Sequence, residues 1–408
     1  MRSIHAMTLC TVVEAGEDRS GSGWLREAKV AEDSFDIAIV GAGIVGLAHA
    51  LAAARLGWRV VVLDRDAQAN GASIRNFGFV TVSGQAQGTV WRRARRSRDV
   101  WVEVAGPAGI AIEQTGLAMI AQRPEAEAVL AAFLATDMGD GCTWLDASKA
   151  AALIAPAAPA ALRGAMISPV DVRVESRQAI PALARWLAVQ HGVAFRYGVA
   201  AHDVAPGRIA TSAGTIRANA IVVAPGDDLT TLFPDAVAAA GITRCKLQML
   251  RLASPGFRLP ATIMSDLSLV RYLGYAALPE SAALHARLSA EQPDHLAHGI
   301  HLIVAQSADG SLVVGDSHHY AATPDPFASA RVERLILDEF AAVFGMVPPV
   351  FERWTGTYAS AAAHSLVTTP ADGVRLVVVT SGTGASTAFA LAEEVIGDLA
   401  GRSVGATA

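Results

Sequence analysis

The run Phe35-Asp36-Ile37-Ala38-Ile39-Val40-Gly41-Ala42-Gly43-Ile44-Val45-Gly46 constrains the fold more than any other stretch. An apolar, β-type segment ends in Gly-x-Gly-x-x-Gly. A helical segment then leads into Arg59-Val60-Val61-Val62-Leu63-Asp64. Strand, glycine turn, helix, strand and closing acid within about thirty residues make up the dinucleotide-binding fingerprint. Each part has a physical reason. Gly41 permits the tight turn, Gly43 lets backbone approach a pyrophosphate, and Gly46 lets helix and strand pack closely. Ile44 and Val45 open the helix, whose free N–H groups and partial positive charge face the phosphates. Asp64 stands where a ribose hydroxyl needs an acceptor and argues against a 2′-phosphate, although Arg65 follows it. The competing reading is a Gly-rich turn before an ordinary helix, and the flanking strand, helix and acid disfavour it.

A chain of 408 residues suits two intertwined domains rather than one small core. With 52% hydrophobic and 17% charged residues it can bury a large core. A net charge of -5 argues against a nucleic-acid partner. The one basic cluster, Arg92, Arg93, Arg95, Arg96 and Arg98, reads as a solvated helix face. Cys10, Cys142 and Cys245 are far apart and no CxxC occurs, so neither a disulfide framework nor a metal site is expected. That usage fits a reducing compartment and a cytoplasmic location. No run of about 18 apolar residues suggests a membrane span. Residues 1–33 read as a mobile N-terminal extension rather than a signal peptide.

Along the chain, helices are expected over 44–56, 84–104, 123–137, 146–154, 281–298 and 328–343, with another ending near Gln190. Short strands are expected at 115–121, 163–168, 193–197, 201–204, 208–211 and 215–217, and a buried strand at 218–224 closed by Pro225-Gly226. Alternating segments at 246–252, 261–264, 269–273 and 300–306 suggest an antiparallel sheet, which 311–315 and 351–359 extend. A β-branched run at 374–380 then turns through Ser381-Gly382-Thr383-Gly384-Ala385-Ser386 into a last helix. The fold class is thus α/β (α+β): a Rossmann-like βαβ domain interleaved with a domain built on an antiparallel sheet.

Three glycine-bearing sites follow expected strands: Gly41–Gly46, Gly226 and Gly382–Gly384. A nicotinamide cofactor needs only the first, whereas a flavin needs an extended cradle. The helix start at Gly384, Ala385 and Ser386 offers donors where negative charge appears on a reduced isoalloxazine. FAD is therefore the expected cofactor.

At these residues the sequence resembles the FAD-dependent D-amino-acid oxidase superfamily, with glycine oxidase and sarcosine oxidase, over essentially Phe35 to Gly401. Several stretches resemble, more narrowly, the FAD oxidoreductases associated with phosphonate breakdown. These are Gly71-Ala72-Ser73-Ile74-Arg75-Asn76-Phe77-Gly78, Ser83-Gly84-Gln85, Arg244-Cys245-Lys246-Leu247-Gln248-Met249, Arg271-Tyr272, Gly315-Asp316-Ser317-His318, Arg353-Trp354-Thr355-Gly356-Thr357-Tyr358 and Gly382-Thr383-Gly384. The subgroup tends to carry an acid where His319 stands. The resemblance implies an FAD-binding domain over 34–110, 160–235 and 350–402, and a substrate domain over 111–159 and 236–349. It implies oxidation of the C–N bond of a small anionic amine by hydride transfer to flavin N5. Hydrolysis of the imine follows, and oxygen takes the electrons to give hydrogen peroxide. The subgroup implies an aminophosphonate such as 2-aminoethylphosphonate or its N-methyl form. No cysteine lies near the C-terminal glycines, so FAD is expected to be non-covalent.

Such a site needs positioning more than acid–base machinery. A phosphonate dianion asks for Arg, Lys or His donors. Arg271, followed by Tyr272 in an expected strand, is the first candidate, against a reading as a surface arginine paired with an acid. Lys246 and Gln248 alternate and so share a face, which is either the site or solvent. Ser73, Arg75 and Asn76 lie on a loop that the family places against the flavin. His318 sits in a family motif, while the adjacent His319 points elsewhere and makes a poor metal pair with it. Trp354 and Tyr358 read as packing, with Tyr358 able to line the pocket. Arg173 and Arg177 read as a helix start held by salt bridges.

Overall fold

The computed structural model describes residues 34–154 and 161–401. The expected extension 1–33, with Cys10, and the domain boundary at 159–160 lie outside the described residues.

Strand Ser34–Val40 is the middle of a parallel layer. Val60–Asp64 pairs with it on one side and Gly214–Val223 on the other. Ala194–Tyr197 and Val374–Ser381 extend the layer at either end, also parallel. The strands are apolar on both faces because both faces are covered. Ile37 and Ile39 pack with Val60 and Val62 under helices Ile44–Arg55, Thr89–Ala105, Ser176–His191 and Gly384–Leu399. Ala38, Val61 and Leu63 point the other way, onto Ile209, Leu229 and Leu232.

A second group of strands is largely antiparallel. Thr243–Leu252 pairs with Leu312–Gly315, with His319–Ala321 and with Val350–Ala371. Ile303–Gln306 joins Leu312–Gly315 to Thr262–Met264. Thr262–Met264 runs parallel to Ile112–Ala121, which pairs antiparallel with Gly164–Val174. Phe133, Tyr275, Phe340 and Phe344 close the core over these strands. The 22-residue strand Val350–Ala371 serves both groups. Its first part follows Thr243–Leu252, its last part follows Val374–Ser381, and the register shifts between Ser360 and Ser365.

Several expectations are corrected. The strand expected at 269–273 is a 3-10 turn, Asp266–Val270, followed by the short helix Leu273–Ala276. Arg271 and Tyr272 donate their N–H groups back to Ser268, and Gly274 donates to Gly84, so this backbone has no strand partner. The helix expected from 84 begins at Thr89, because Gly84 and Gly88 hold φ of 81° and 89°. The helix expected over 281–298 breaks at Gln292, where Pro293 starts a second piece. Arg173 belongs to a strand rather than a helix start. It is fully buried and bonds Glu175 at 2.9 Å. The arginine helix is more than a solvated face: Arg93 and Arg96 pair with Glu394 and Glu393 of the C-terminal helix. Segments 215–217 and 218–224 form one continuous strand.

Candidate active site

A cavity of about 430 Å³ opens between the two groups of strands and is lined by residues from both. That size lies within the range of small-molecule sites, about 300–1,000 Å³. The glycine turn forms one wall. Gly41 has φ of 105°, and a Cβ on it would stand 2.3 Å from the carbonyl oxygen of Ala224. A Cβ on Gly46 would stand 1.8 Å from the carbonyl oxygen of Gly41, which is why helix and strand can meet here. Asp64 ties the turn down: its carboxylate accepts from the Ala42 N–H at 2.7 Å and the Asp66 N–H at 2.9 Å. Gly43, Ile44, Val45 and Gly46 line the cavity. Gly41 and Asp64 support it from behind, outside the lining residues. Arg65 does not reach it either; its guanidinium is paired with Asp228 at 2.8 Å. Ser73 Oγ accepts from the Ile44 N–H at 2.9 Å, capping the helix start.

The loop after the second strand forms the next wall. Ser73, Arg75 and Asn76 all line the cavity. Asn76 spends its amide on the loop itself: Nδ2 donates to the Ala72 carbonyl at 2.7 Å, and Oδ1 accepts from Gly78 N–H and Ser176 Oγ. Arg75 donates to Asn70 Oδ1 at 3.1 Å, and its carbonyl accepts from Trp354 Nε1. The buried Asp171 carboxylate fixes the following segment, accepting from Val82 N–H, Ser83 N–H and the hydroxyls of Ser83 and Ser168.

A second helix begins at the same cavity. Gly226, Gly382, Thr383, Gly384, Ala385 and Ser386 are lining residues. Helix Gly384–Leu399, like Ile44–Arg55, has no acid in its first turn. Two helix N-termini, neither with an acid in its first turn, thus face one space, an arrangement suited to an anionic, elongated ligand. Ser386 Oγ accepts from the Thr81 N–H at 3.0 Å, linking this helix start to the segment that Asp171 holds.

The far end of the cavity is different chemistry. Arg271 and Tyr272 meet His301, Asp316, His318, Tyr320 and Tyr358 there. Arg271 Nη2 donates to Tyr320 Oη at 3.1 Å, and no carboxylate forms a salt bridge with it among the described residues. Burial pushes the Tyr272 and Tyr358 phenols well up, so both stay neutral. Burial also pushes His318 down to about 3, against the pull of Asp316. His301 is likewise lowered by burial. Asp316 stays below the usual carboxylate range: burial raises it, but the positive charges that His318 and His301 take up on protonation, with Arg271, outweigh that. Trp354 packs under the Arg177 guanidinium, whose carbon lies 4.8 Å from the ring centre.

Lys246, expected in the site, is a correction. Its Nζ donates to the carbonyls of Asp325 at 2.7 Å and Phe327 at 3.0 Å, and it is not a lining residue. The shared face of Lys246 and Gln248 looks onto the 325–329 loop, where Gln248 bonds Ser329 in both directions. His319 also lies outside the lining, 3.0 Å from His298. His301, Asp316 and Tyr320 were missed as candidates. Asp316 lies within Gly315-Asp316-Ser317-His318, whereas nothing local marks His301 within its apolar run.

The model of the FAD dependent oxidoreductase family, DAO, matches residues 36–397. The chain belongs to that family. Its cofactor is FAD, and the cavity suits FAD: two glycine-started helices and the Ser73 loop surround one elongated space. Gly43–Gly46 would hold the pyrophosphate, and Gly382–Ser386 the flavin. Cys142 and Cys245 are not lining residues. No sequence match was found among curated proteins. The fold is similar to that of glycine oxidase from Geobacillus kaustophilus, with a TM-score of 0.73, 18% identity, and 91% of this chain and 96% of that one covered. It is also similar to L-proline dehydrogenase from P. horikoshii (TM-score 0.72, 17% identity, 90% and 94% covered). A third neighbour is the FAD-bound, dithionite-reduced L-alpha-glycerophosphate oxidase from Mycoplasma pneumoniae (TM-score 0.71, 13% identity, 90% and 95% covered). Among the described residues no helix is long and apolar enough to cross a membrane.

Proposed function

We propose that this FAD-dependent oxidoreductase oxidises the C–N bond of a small anionic amine, with an aminophosphonate such as (N-methyl-)2-aminoethylphosphonate as the favoured class. The observation that carries the reading is Arg271: a partly buried guanidinium, held by Tyr320 and paired with no carboxylate among the described residues, at the end of the cavity away from the glycine turn. A planar guanidinium can bind a phosphonate or carboxylate bidentately. The subgroup motifs around Ser73, Arg271 and His318 favour the phosphonate over the carboxylate.

Bound FAD supplies the hydride acceptor for this oxidation. The chain's own residues position the substrate and exclude water. Arg271 and Tyr320 fix the anion. Tyr272 and Tyr358, neutral and apolar over most of their surface, close the walls and keep the amine end dry. Glycine oxidase as a structural neighbour supports amine chemistry. We assign oxygen as the acceptor, giving hydrogen peroxide.

Product analysis tests the reading. Flavin-loaded protein is incubated in air with 2-aminoethylphosphonate, its N-methyl form, glycine and sarcosine. The expected products from the phosphonates are phosphonoacetaldehyde, ammonia or methylamine, and one peroxide per aldehyde. Turnover of glycine and sarcosine alone would replace the phosphonate by a carboxylate. Aldehyde without peroxide would make the protein a dehydrogenase.

A further inference from the structure

A buried carboxylate and an imidazole lone pair converge at the Arg271 end of the cavity. His318 Nδ1 stands 2.9 Å from the carbonyl oxygen of Gly299. A carbonyl only accepts, so Nδ1 carries the hydrogen and the neutral ring keeps a lone pair at Nε2. That nitrogen lies 3.8 Å from Asp316 Oδ2, where lone pair and carboxylate repel. His301 Nε2 lies 3.1 Å from Asp316 Oδ1 but off the line of a hydrogen bond, so Oδ1 has no hydrogen-bond partner. Asp316 is 4% exposed, His301 3% and His318 7%. The three groups offer ligand atoms that all lie within 4.8 Å of one another. A buried carboxylate oxygen without a donor is costly, and a cationic donor arriving with a ligand would relieve it.

We propose that Asp316 and His318, steadied by His301, form the amine subsite: they accept hydrogen bonds from the substrate's ammonium group, and His318 Nε2 takes one of its protons. This rests on the anionic-amine reading above and adds which end of the substrate goes where. Arg271 takes the anion and the acid–histidine cluster takes the cation, so a zwitterion is read at both ends. In the proton step an N–H bond of the ammonium breaks and its electron pair stays on the amine nitrogen. The proton forms an N–H bond on His318, and the imidazolium is balanced by Asp316. The neutral amine then has the lone pair that C–N oxidation requires. Arg271 opposes a charge on His318. An anion bound to Arg271 offsets that opposition, so substrate binding itself strengthens the base. His301 is a positioning residue: its ring stacks on His318 at 5.1 Å between centroids. The same donor set could ligate a divalent metal. Arg271 beside it disfavours a doubly charged ion more than a singly charged ammonium.

The test compares probes with and without the amine. Binding to the flavin-loaded full chain is followed anaerobically by flavin spectral change, using 2-aminoethylphosphonate and ethylphosphonate. Wild-type protein is expected to bind the aminated probe about 10- to 100-fold tighter, the worth of a charge-assisted hydrogen bond. Asp316→Asn is expected to erase that advantage, so that the variant binds the two probes equally. An advantage retained in Asp316→Asn overturns the subsite and leaves the anionic-amine reading standing. Binding of neither probe by wild-type protein overturns both. One divalent metal per chain in the isolated protein, absent from Asp316→Asn, gives the cluster to a metal and overturns the subsite. The proton step is read separately in His318→Gln, whose flavin content and melting temperature report on folding. Its rate of anaerobic flavin reduction should climb with pH toward the free amine's own pKa. A pH profile identical to that of wild-type protein overturns His318 as the proton acceptor.

Discussion

Replacing Gly46 by alanine adds one methyl group and is expected to cost the protein its flavin. A Cβ at this position would lie 1.8 Å from the Gly41 carbonyl oxygen, 3.0 Å from its carbon and 3.3 Å from Ile39 Cγ2. A carbon–oxygen contact ordinarily sits at about 3.3 Å, so the helix must retreat by about 1.5 Å. The atom in the way is backbone at the end of the central strand and cannot swing aside. The retreat carries the helix start, with the Val45 N–H, away from the turn that should hold the pyrophosphate. Overpacking of this kind costs about 1–3 kcal/mol, which is about a 5- to 150-fold loss in FAD affinity if borne by binding. The assay is visible flavin absorbance per protein after purification, followed by a dissociation constant for FAD added back to apoprotein. Gly71→Ala is the control. Gly71 starts the next loop, a Cβ there meets nothing within 4 Å, and its φ of -91° suits any residue. That variant should keep its flavin. Gly46→Ala with full flavin content and unchanged affinity would refute the packing argument.

Three further outcomes follow from the same geometry. Arg271→Ala should raise the apparent KM for an anionic amine by about 10- to 150-fold, the value of its charged hydrogen bonds, with flavin content unchanged; steady-state kinetics with an unaltered KM would remove Arg271 from the site. His49 is fully buried, with Nδ1 on the Val45 carbonyl at 2.7 Å, and burial lowers its pKa to about 4. Its neutral form therefore stabilises the fold above the ordinary value of 6.5, and that contribution is lost as pH falls from 6.5 toward 4. His49→Leu should shrink the acid loss of stability by up to about 3 kcal/mol, measured by urea unfolding at neutral and acid pH. Arg173→Ala leaves Glu175 buried with one fewer partner, since Arg173 and Arg251 both bond its Oε2 at 2.9 Å. It should destabilise the fold by about 3–5 kcal/mol in the same assay.

The cradle was legible because its chemistry is local. Gly41, Gly43, Gly46 and Asp64 lie within one βαβ unit, and each is needed for a backbone reason that sequence displays. The second helix start at Gly384 was legible for the same reason: a β-branched run, glycines and then a helix. The far end of the cavity is assembled from residues that nothing local connects. Arg271, His301, Asp316 and Tyr358 come from a 3-10 turn's end, two loops and a long strand, and they meet only through tertiary packing. Alternation placed Lys246 and Gln248 on one face correctly, but a period of two does not say what a face looks at. Here it looks at the 325–329 loop. The segment 269–273 has apolar residues in a strand-like order, yet its backbone turns: the Ser268 carbonyl accepts from the N–H groups of Arg271 and Tyr272. The long strand Val350–Ala371 was cut short at 359 because its partner changes there, which is a property of the sheet rather than of the residues.

The central claim is that FAD in this cavity takes electrons from a small anionic amine held at Arg271. Its most direct measurement is the visible spectrum of the purified protein, mixed anaerobically with 2-aminoethylphosphonate or its N-methyl form. The account predicts a yellow protein whose flavin absorbance bleaches on mixing and returns when air is admitted. A flavin that neither these phosphonates nor glycine or sarcosine can bleach would contradict it.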